Sequence, residues 1–259
     1  MSIINTELQN NIGTITFNNP KQRNILSTEL INEMIQAIGA LQKGKMRVLV
    51  LRALKGSKVW SAGHDVHELP LPGRDPLSYH DPLVTILRSI QSLPVPVIAM
   101  IEGSVWGGAC DLALSCDILI GCQNSTFCMT PAKIGVPYNV SGILHFINIM
   151  GVNIAKEMFF TAEPLSAEQA AKAGLLNHLV DESVLEELTY DMAGKISRNS
   201  PLSIGVMKEQ IRLLASAHPM NPLTFERVQG LRRTVYDSSD YAEGIKAFLE
   251  KRTPVFTGE

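Results

Sequence analysis

The chain is poor in the features that mark membrane, nucleic-acid-binding or secreted proteins. No apolar run reaches the roughly 20 residues that span a bilayer, so no transmembrane segment is expected. The opening residues, MSIINTELQNNIG, lack a charged stretch followed by an apolar one, so no signal peptide is expected. No long basic cluster occurs and the formal charge is −2, which argues against a nucleic-acid partner. Cysteine is limited to Cys110, Cys116, Cys122 and Cys128, spaced six apart. Zinc ligands usually pair roughly two to four residues apart, so these read as four small buried residues and not as a metal site. They are expected to be reduced thiols in a cytoplasmic protein. No fixed-period repeat, low-complexity run or linker divides the 259 residues.

What is present suits a filled core: 45% of the residues are apolar and 19% charged. Residues Ile3 to Leu8 and Gly13 to Asn18 alternate apolar and polar around Asn10-Asn11, the pattern of a hairpin. Ser27 is placed to cap a helix whose Leu30, Met34, Ile35, Ile38 and Leu41 form one stripe. Met46 to Ala53 and Pro96 to Ile101 are short continuous apolar runs and read as buried strands. Asp65 and Glu68 have the spacing of a capping box. The proline- and glycine-rich loop from Leu69 to Pro82 is long for a connector and suits a lid over a site. Further strands are expected over 117–122, 125–129 and 176–180. Helices are expected over 83–93, 143–150, 154–160, 167–173, 183–199, 201–215, 222–236 and 241–250. The fold class is α/β, with a core over residues 1–200 and a helical region over 201–259.

One stretch, EGSVWGGACDLALSCD from Glu102 to Asp117, organises the rest. A strand ends, the backbone turns through Gly107 and Gly108, and a helix begins. The first amides of a helix lack internal partners and carry positive potential, so an anion or a developing oxyanion is favoured there. A plain glycine turn fits the same residues. SAGHD, from Ser61 to Asp65, repeats the form through Gly63. Two free amides aimed at one point would make an oxyanion hole for a thioester or ester carbonyl. Spacing alone does not bring them together.

SAGHD followed by EGSVWGGACDLALSCD, with NNPKQRNILS near the start and FLEKRTPVF near the end, resembles the enoyl-CoA hydratase/isomerase (crotonase) superfamily over essentially the whole chain. The resemblance implies a spiral of ββα units, a helical C-terminal region that builds trimers or hexamers (dimers of trimers), and an acyl-CoA substrate. It implies that the amides of His64 and Gly108 hold the thioester oxygen. Coenzyme A would lie along Arg23, Asn24, Ile25, Ala62, Asp65 and Val66, with Lys251 at the phosphates; Gly107 and Pro131 are further candidate substrate-binding residues.

Hydratases of this family use two glutamates. Here the first position holds Asp111 and the second holds Ala132, after Pro131, and an alanine cannot transfer a proton. SAGHDVHELP, GRDPLSY, MTPAKIGVPYN and QGLRRTVYDSSDYAEG resemble a decarboxylating branch, the bacterial methylmalonyl-CoA decarboxylases. That resemblance implies conversion of methylmalonyl-CoA, of either configuration, to propionyl-CoA and CO2 without biotin or metal, with Tyr138 holding the substrate carboxylate. Trp106, Ile134 and Val136 are candidate apolar walls. The enolate's proton would come from water or Asp111.

Other readings stay open for the same residues. Tyr138 can be a packing residue with a polar tip, Asp111 a first-turn carboxylate, Lys251 a solvated lysine, and His64 and His67 an unused HxxH pair. As rivals, the chain is a hydratase or isomerase relying on Asp111, or a non-catalytic CoA-binding scaffold.

Overall fold

The computed structural model describes residues 2–215 and 222–258. The chain opens with β1 (Ile4–Gln9) and β2 (Ile12–Phe17), paired antiparallel from Ile4↔Phe17 to Gln9↔Ile12. Asn10 and Asn11 make the turn with φ of 51° and 62°, the left-handed geometry that matches the twist of a two-residue hairpin. α1 (Thr28–Lys43) starts where Ser27 accepts from the Leu30 amide at 3.3 Å. It buries the expected stripe, with Ile31 and Ala37 added and Ile35 only half-buried.

From there each strand in a large sheet is followed by one in a small sheet and then by a helix. β3 (Val48–Ala53) leads to β4 (Val59–Ser61) and α2 (Pro82–Gln91). β5 (Val97–Ile101) leads to β6 (Ser104–Trp106) and α3 (Gly108–Leu114). β7 (Ile118–Cys122) leads to β8 (Thr126–Cys128) and α4 (Val140–Thr161). After β9 (Leu165–Ser166) and α5 (Ala167–Lys172), β10 (His178–Val180) closes the large sheet, whose order is β1-β2-β3-β5-β7-β10. The small sheet runs β4-β6-β8-β9.

Side chains alternate between the faces of the large sheet. Leu49, Leu51, Ala99 and Ile101 enter the main core with α1, α2 and α3. Val48, Val50, Ile98 and Met100 face α6 (Glu182–Arg198), meeting Leu185 and Ala193. Both faces are covered, which is why these strands read as unbroken apolar runs.

Three expectations need correction. The apolar run 96–101 does not itself feed the glycine-rich helix, because Gly103, at φ 84°, turns the chain into β6 of the other sheet first. Asp65 and Glu68 form no capping box. Asp65 accepts from the His67 amide, while the Glu68 carboxylate reaches Thr28 at the start of α1, 2.8 Å from its amide and 2.7 Å from its hydroxyl. The helices expected over 143–150 and 154–160 join into the 22-residue α4, broken at Gly151 by φ 76° and ψ 161°. Among the described residues α4 is one helix long and apolar enough, by length and composition, to cross a membrane. Its Phe146, Met150, Ala155 and Met158 pack into the main core.

The chain ends in α7 (Pro201–Ala215), α8 (Pro222–Tyr236) and α9 (Ser239–Leu249). Lys208 anchors α7 beside α2 and β5, donating to the Val95 carbonyl at 3.0 Å and to Asp117 at 2.7 Å. The loop over 69–82 is tied to the last two helices. The Gly73 amide donates to the Tyr236 carbonyl at 2.8 Å, Arg232 pairs with Asp75, and the Tyr241 hydroxyl donates to the Pro70 carbonyl at 2.9 Å.

Candidate active site

A cavity of about 610 Å³ lies where β4 and β6 end, with Gly244 and Phe248 of α9 in its lining. Hydrogen bonds fix its backbone walls: Ala62 N–H to the Arg23 carbonyl at 2.9 Å, Leu26 N–H to the Gly63 carbonyl at 2.8 Å, and Gly107 N–H to the Cys128 carbonyl at 2.8 Å. Gly63 has φ 84°, and Gly107 has φ 51° with ψ −123°, conformations that only glycine adopts at low cost. The two turns touch. A Cβ on Gly63 would overlap the Trp106 carbonyl oxygen and stand 3.1 Å from the Gly108 nitrogen. One on Gly108 would stand 3.5 Å from the His64 nitrogen. Both residues line the cavity, and among the described residues neither amide has a backbone acceptor. Two adjacent free donors at a cavity wall can stabilise negative charge on one oxygen.

A second part of the site is built from side chains. The Tyr138 hydroxyl donates to one oxygen of Asp111 at 2.9 Å, and His145 Nδ1 stands 2.9 Å from the other. Gln91 Nε2 lies 2.7 Å from His145 Nε2 and donates to Ser115 Oγ at 3.2 Å. Tyr138 packs against Phe146 and Phe159, with ring centroids 6.5 and 5.5 Å away. Burial, reinforced by the Asp111 charge, holds the Tyr138 hydroxyl well above its usual pKa, so it is neutral at physiological pH.

The His64 ring sits between the Asp65 carbonyl, 2.9 Å from Nδ1, and Asp81, 3.4 Å from Nε2. Burial lowers its pKa, but hydrogen bonding and charge from Asp81, with help from the Asp65 carbonyl and Glu68, outweigh burial and raise it overall. His67 is exposed, and among the described residues no three His, Cys, Asp or Glu side chains cluster as a metal site would require. The four cysteines are free and buried, and burial pushes the Cys110 and Cys116 thiols far up.

Residues 7–259 match the model of the enoyl-CoA hydratase/isomerase family. The chain belongs to that family. Methylmalonyl-CoA decarboxylase of Escherichia coli (strain K12) is 51% identical over 255 residues, covering 98% of each chain. A probable mitochondrial enoyl-CoA hydratase of Dictyostelium discoideum is 32% identical, covering 97% of this chain and 89% of its own. A solved structure of methylmalonyl-CoA decarboxylase in complex with 2-nitronate-propionyl-CoA superposes with a TM-score of 0.97 at 50% identity, covering 100% of this chain and 99% of that one. The alternation of large-sheet strand, small-sheet strand and helix is this family's ββα spiral.

Most of the residues singled out in the sequence meet at the cavity: Arg23, Ile25, Ala62, His64, Val66, Trp106, Gly107, Gly108, Pro131, Ile134, Val136 and Tyr138 all line it. Four do not line it. Asn24 is buried, donating to the Val59 and Trp60 carbonyls, so it pins its loop to β4. Asp65 spends its carboxylate on the His67 amide. Asp111 is 1% exposed and lies behind Tyr138. Lys251 is exposed at φ 56°, and this left-handed turn gives the cavity to its neighbour Arg252.

Arg252 was missed, as were Lys133, Leu77, Leu83 and Phe248. Phe248 and Gly244 lie on α9, so the helical region after residue 200 supplies part of the wall. Ala132 is exposed and off the cavity. No aspartate or glutamate lines the cavity among the described residues, whereas Arg23, Lys133 and Arg252 do.

Proposed function

We propose that this protein decarboxylates methylmalonyl-CoA to propionyl-CoA and CO2 without biotin or metal. The observation that carries the reading is the cavity wall, which joins two amides without acceptors to an apolar interior with no carboxylate among the described residues. The bond from C2 to the carboxyl carbon breaks, and CO2 leaves. The electron pair moves into the C2–C1 bond, and the charge arrives on the thioester oxygen between the His64 and Gly108 amides, which act as the oxyanion hole. Each such donor is worth about 3 kcal/mol to a transition state. One proton then adds to C2.

The substrate carboxylate sits among Leu83, Ile134 and Val136, where loss of water raises the free energy of the anion relative to neutral CO2. Tyr138 turns its hydroxyl from Asp111 to that carboxylate. It holds the breaking bond perpendicular to the thioester plane, where it overlaps the carbonyl π system. Arg23, Lys133 and Arg252 meet the phosphates of coenzyme A.

The relative at 51% identity supports this reading. Hydration is disfavoured, because Asp111 is bonded to Tyr138 off the cavity and no carboxylate lines the cavity among the described residues. Leu202, Val206, Ile211 and Leu214 lie exposed along α7 and support assembly into a trimer or a dimer of trimers. The test is release of CO2 and propionyl-CoA from methylmalonyl-CoA in biotin-free buffer containing a chelator. Absence of turnover above background, or hydration of crotonyl-CoA that Asp111→Asn abolishes, overturns the proposal.

A further inference from the structure

The decarboxylase reading leaves the last proton without a source, and the geometry points to one: we propose that Tyr138 protonates the enolate and that His145, acting through Asp111, recharges Tyr138 from solvent. This inference rests on that reading.

Tyr138 lines the cavity, and its hydroxyl is joined through buried groups to a partly exposed ring. Tyr138 and Asp111 are 8% and 1% exposed, while the His145 side chain is 27% exposed. His145 is therefore the end of the chain that meets water. The Gln91 amide nitrogen, 2.7 Å from Nε2, leaves that ring nitrogen as an acceptor. The ring proton is then on Nδ1, facing Asp111 at 2.9 Å. Three helices supply the parts: Gln91 from α2, Asp111 from α3 and His145 from α4.

The hydroxyl that orients the carboxylate faces the same side of C2 once CO2 has gone. Tyr138 gives its O–H proton to C2, so a C–H bond forms, an O–H bond breaks and a phenolate remains. A thioester enolate is a far stronger base than a phenolate, so even a tyrosine with a raised pKa is acidic enough for this transfer. Two neighbouring anions, phenolate and Asp111, then favour uptake of a proton at His145 Nε2 from solvent. The imidazolium passes its Nδ1 proton to Asp111, and Asp111 passes it to the phenolate. The ring is left neutral with its proton on Nε2. Turning the Gln91 amide presents its carbonyl oxygen to that proton, and exchange with water, one proton gained at Nδ1 and one lost from Nε2, then restores the starting tautomer. Every proton delivered to C2 is replaced by one from water.

Two variants test the two halves. His145→Asn keeps an N–H donor near the Nδ1 position but cannot pass a proton from solvent to Asp111. The expected result is a burst of about one propionyl-CoA per active site, followed by a steady rate lower by about tenfold or more. The wild-type protein should show no burst. An unchanged steady rate, or a uniform loss without a burst, overturns the relay.

In D2O at short times, wild-type protein acting on one methylmalonyl-CoA epimer should place deuterium at C2 with retention, on the face that the carboxylate vacated. Tyr138→Phe should give a mixture of configurations. A single configuration from Tyr138→Phe removes Tyr138 as the donor. Failure of the wild-type protein to form propionyl-CoA would instead remove the decarboxylase reading itself.

Discussion

The two ends of the cavity are made of different materials. At one end stand backbone amides, set by two glycine turns from β4 and β6 that touch so closely that a Cβ on Gly63 would overlap the Trp106 carbonyl. At the other end a tyrosine from the loop before α4, an aspartate from α3 and a histidine from α4 form a hydrogen-bonded chain. The backbone end is preorganised by sterics and does not titrate. The side-chain end can move a proton. In the proposed mechanism the fixed end would hold the charge that develops on oxygen, and the titratable end would supply the proton that discharges it.

Breaking the backbone end should have the largest effect. Gly108→Pro removes one donor and should lower kcat by about 100-fold or more, measured by CO2 release. Gly63→Val adds bulk against the Trp106 carbonyl at a φ of 84°, and should cost about 2 kcal/mol or more of stability besides activity, seen as a lower midpoint in urea. At the side-chain end, Tyr138→Phe should lower kcat by about 100-fold while KM stays within a few-fold, as expected for a group acting in the transition state. Equal losses of stability and activity at Tyr138 would erase the distinction between the two ends.

Smaller effects should come from the rim. Arg252 pairs with Glu243 at 2.6 Å and Glu250 at 2.7 Å, so its charge is already partly compensated. Arg252→Ala should raise KM by about five-fold and leave kcat nearly unchanged, since solvent screens an exposed ion pair.

The smallest effect concerns the His64 ring, whose amide serves the backbone end. Its native pKa is raised, so its pairing with Asp81 stabilises the fold fully below the ordinary value of 6.5 and loses that contribution as pH rises through the raised native value. Asp81→Asn leaves burial as the dominant influence. The ring should then titrate below 6.5, as an NMR titration would record, and the pH slope of stability should reverse sign near neutrality.

The sequence was more informative about the backbone end. Gly63, Gly107 and Gly108 stand in short motifs, and a steric demand of that kind leaves a local trace. The Asn10-Asn11 turn and the Ser27 cap were legible for the same reason. The side-chain end was only partly legible. Tyr138 and Asp111 were named, but their hydrogen bond, His145 and Gln91 were not, because these contacts join residues 27 to 54 positions apart and follow no spacing rule. The passage from β5 to β6 was hidden because six apolar residues look alike whether or not the next strand changes sheets. Arg252 was missed in favour of Lys251 because the left-handed turn between helix and tail has no mark in the sequence beyond two adjacent cations.

The most direct test is product analysis from a two-substrate incubation, with methylmalonyl-CoA and crotonyl-CoA offered to the wild-type protein in biotin-free buffer with a chelator. The account predicts propionyl-CoA and an equal amount of CO2 from the first, and no hydration of the second. Hydrated crotonyl-CoA with methylmalonyl-CoA untouched would contradict it.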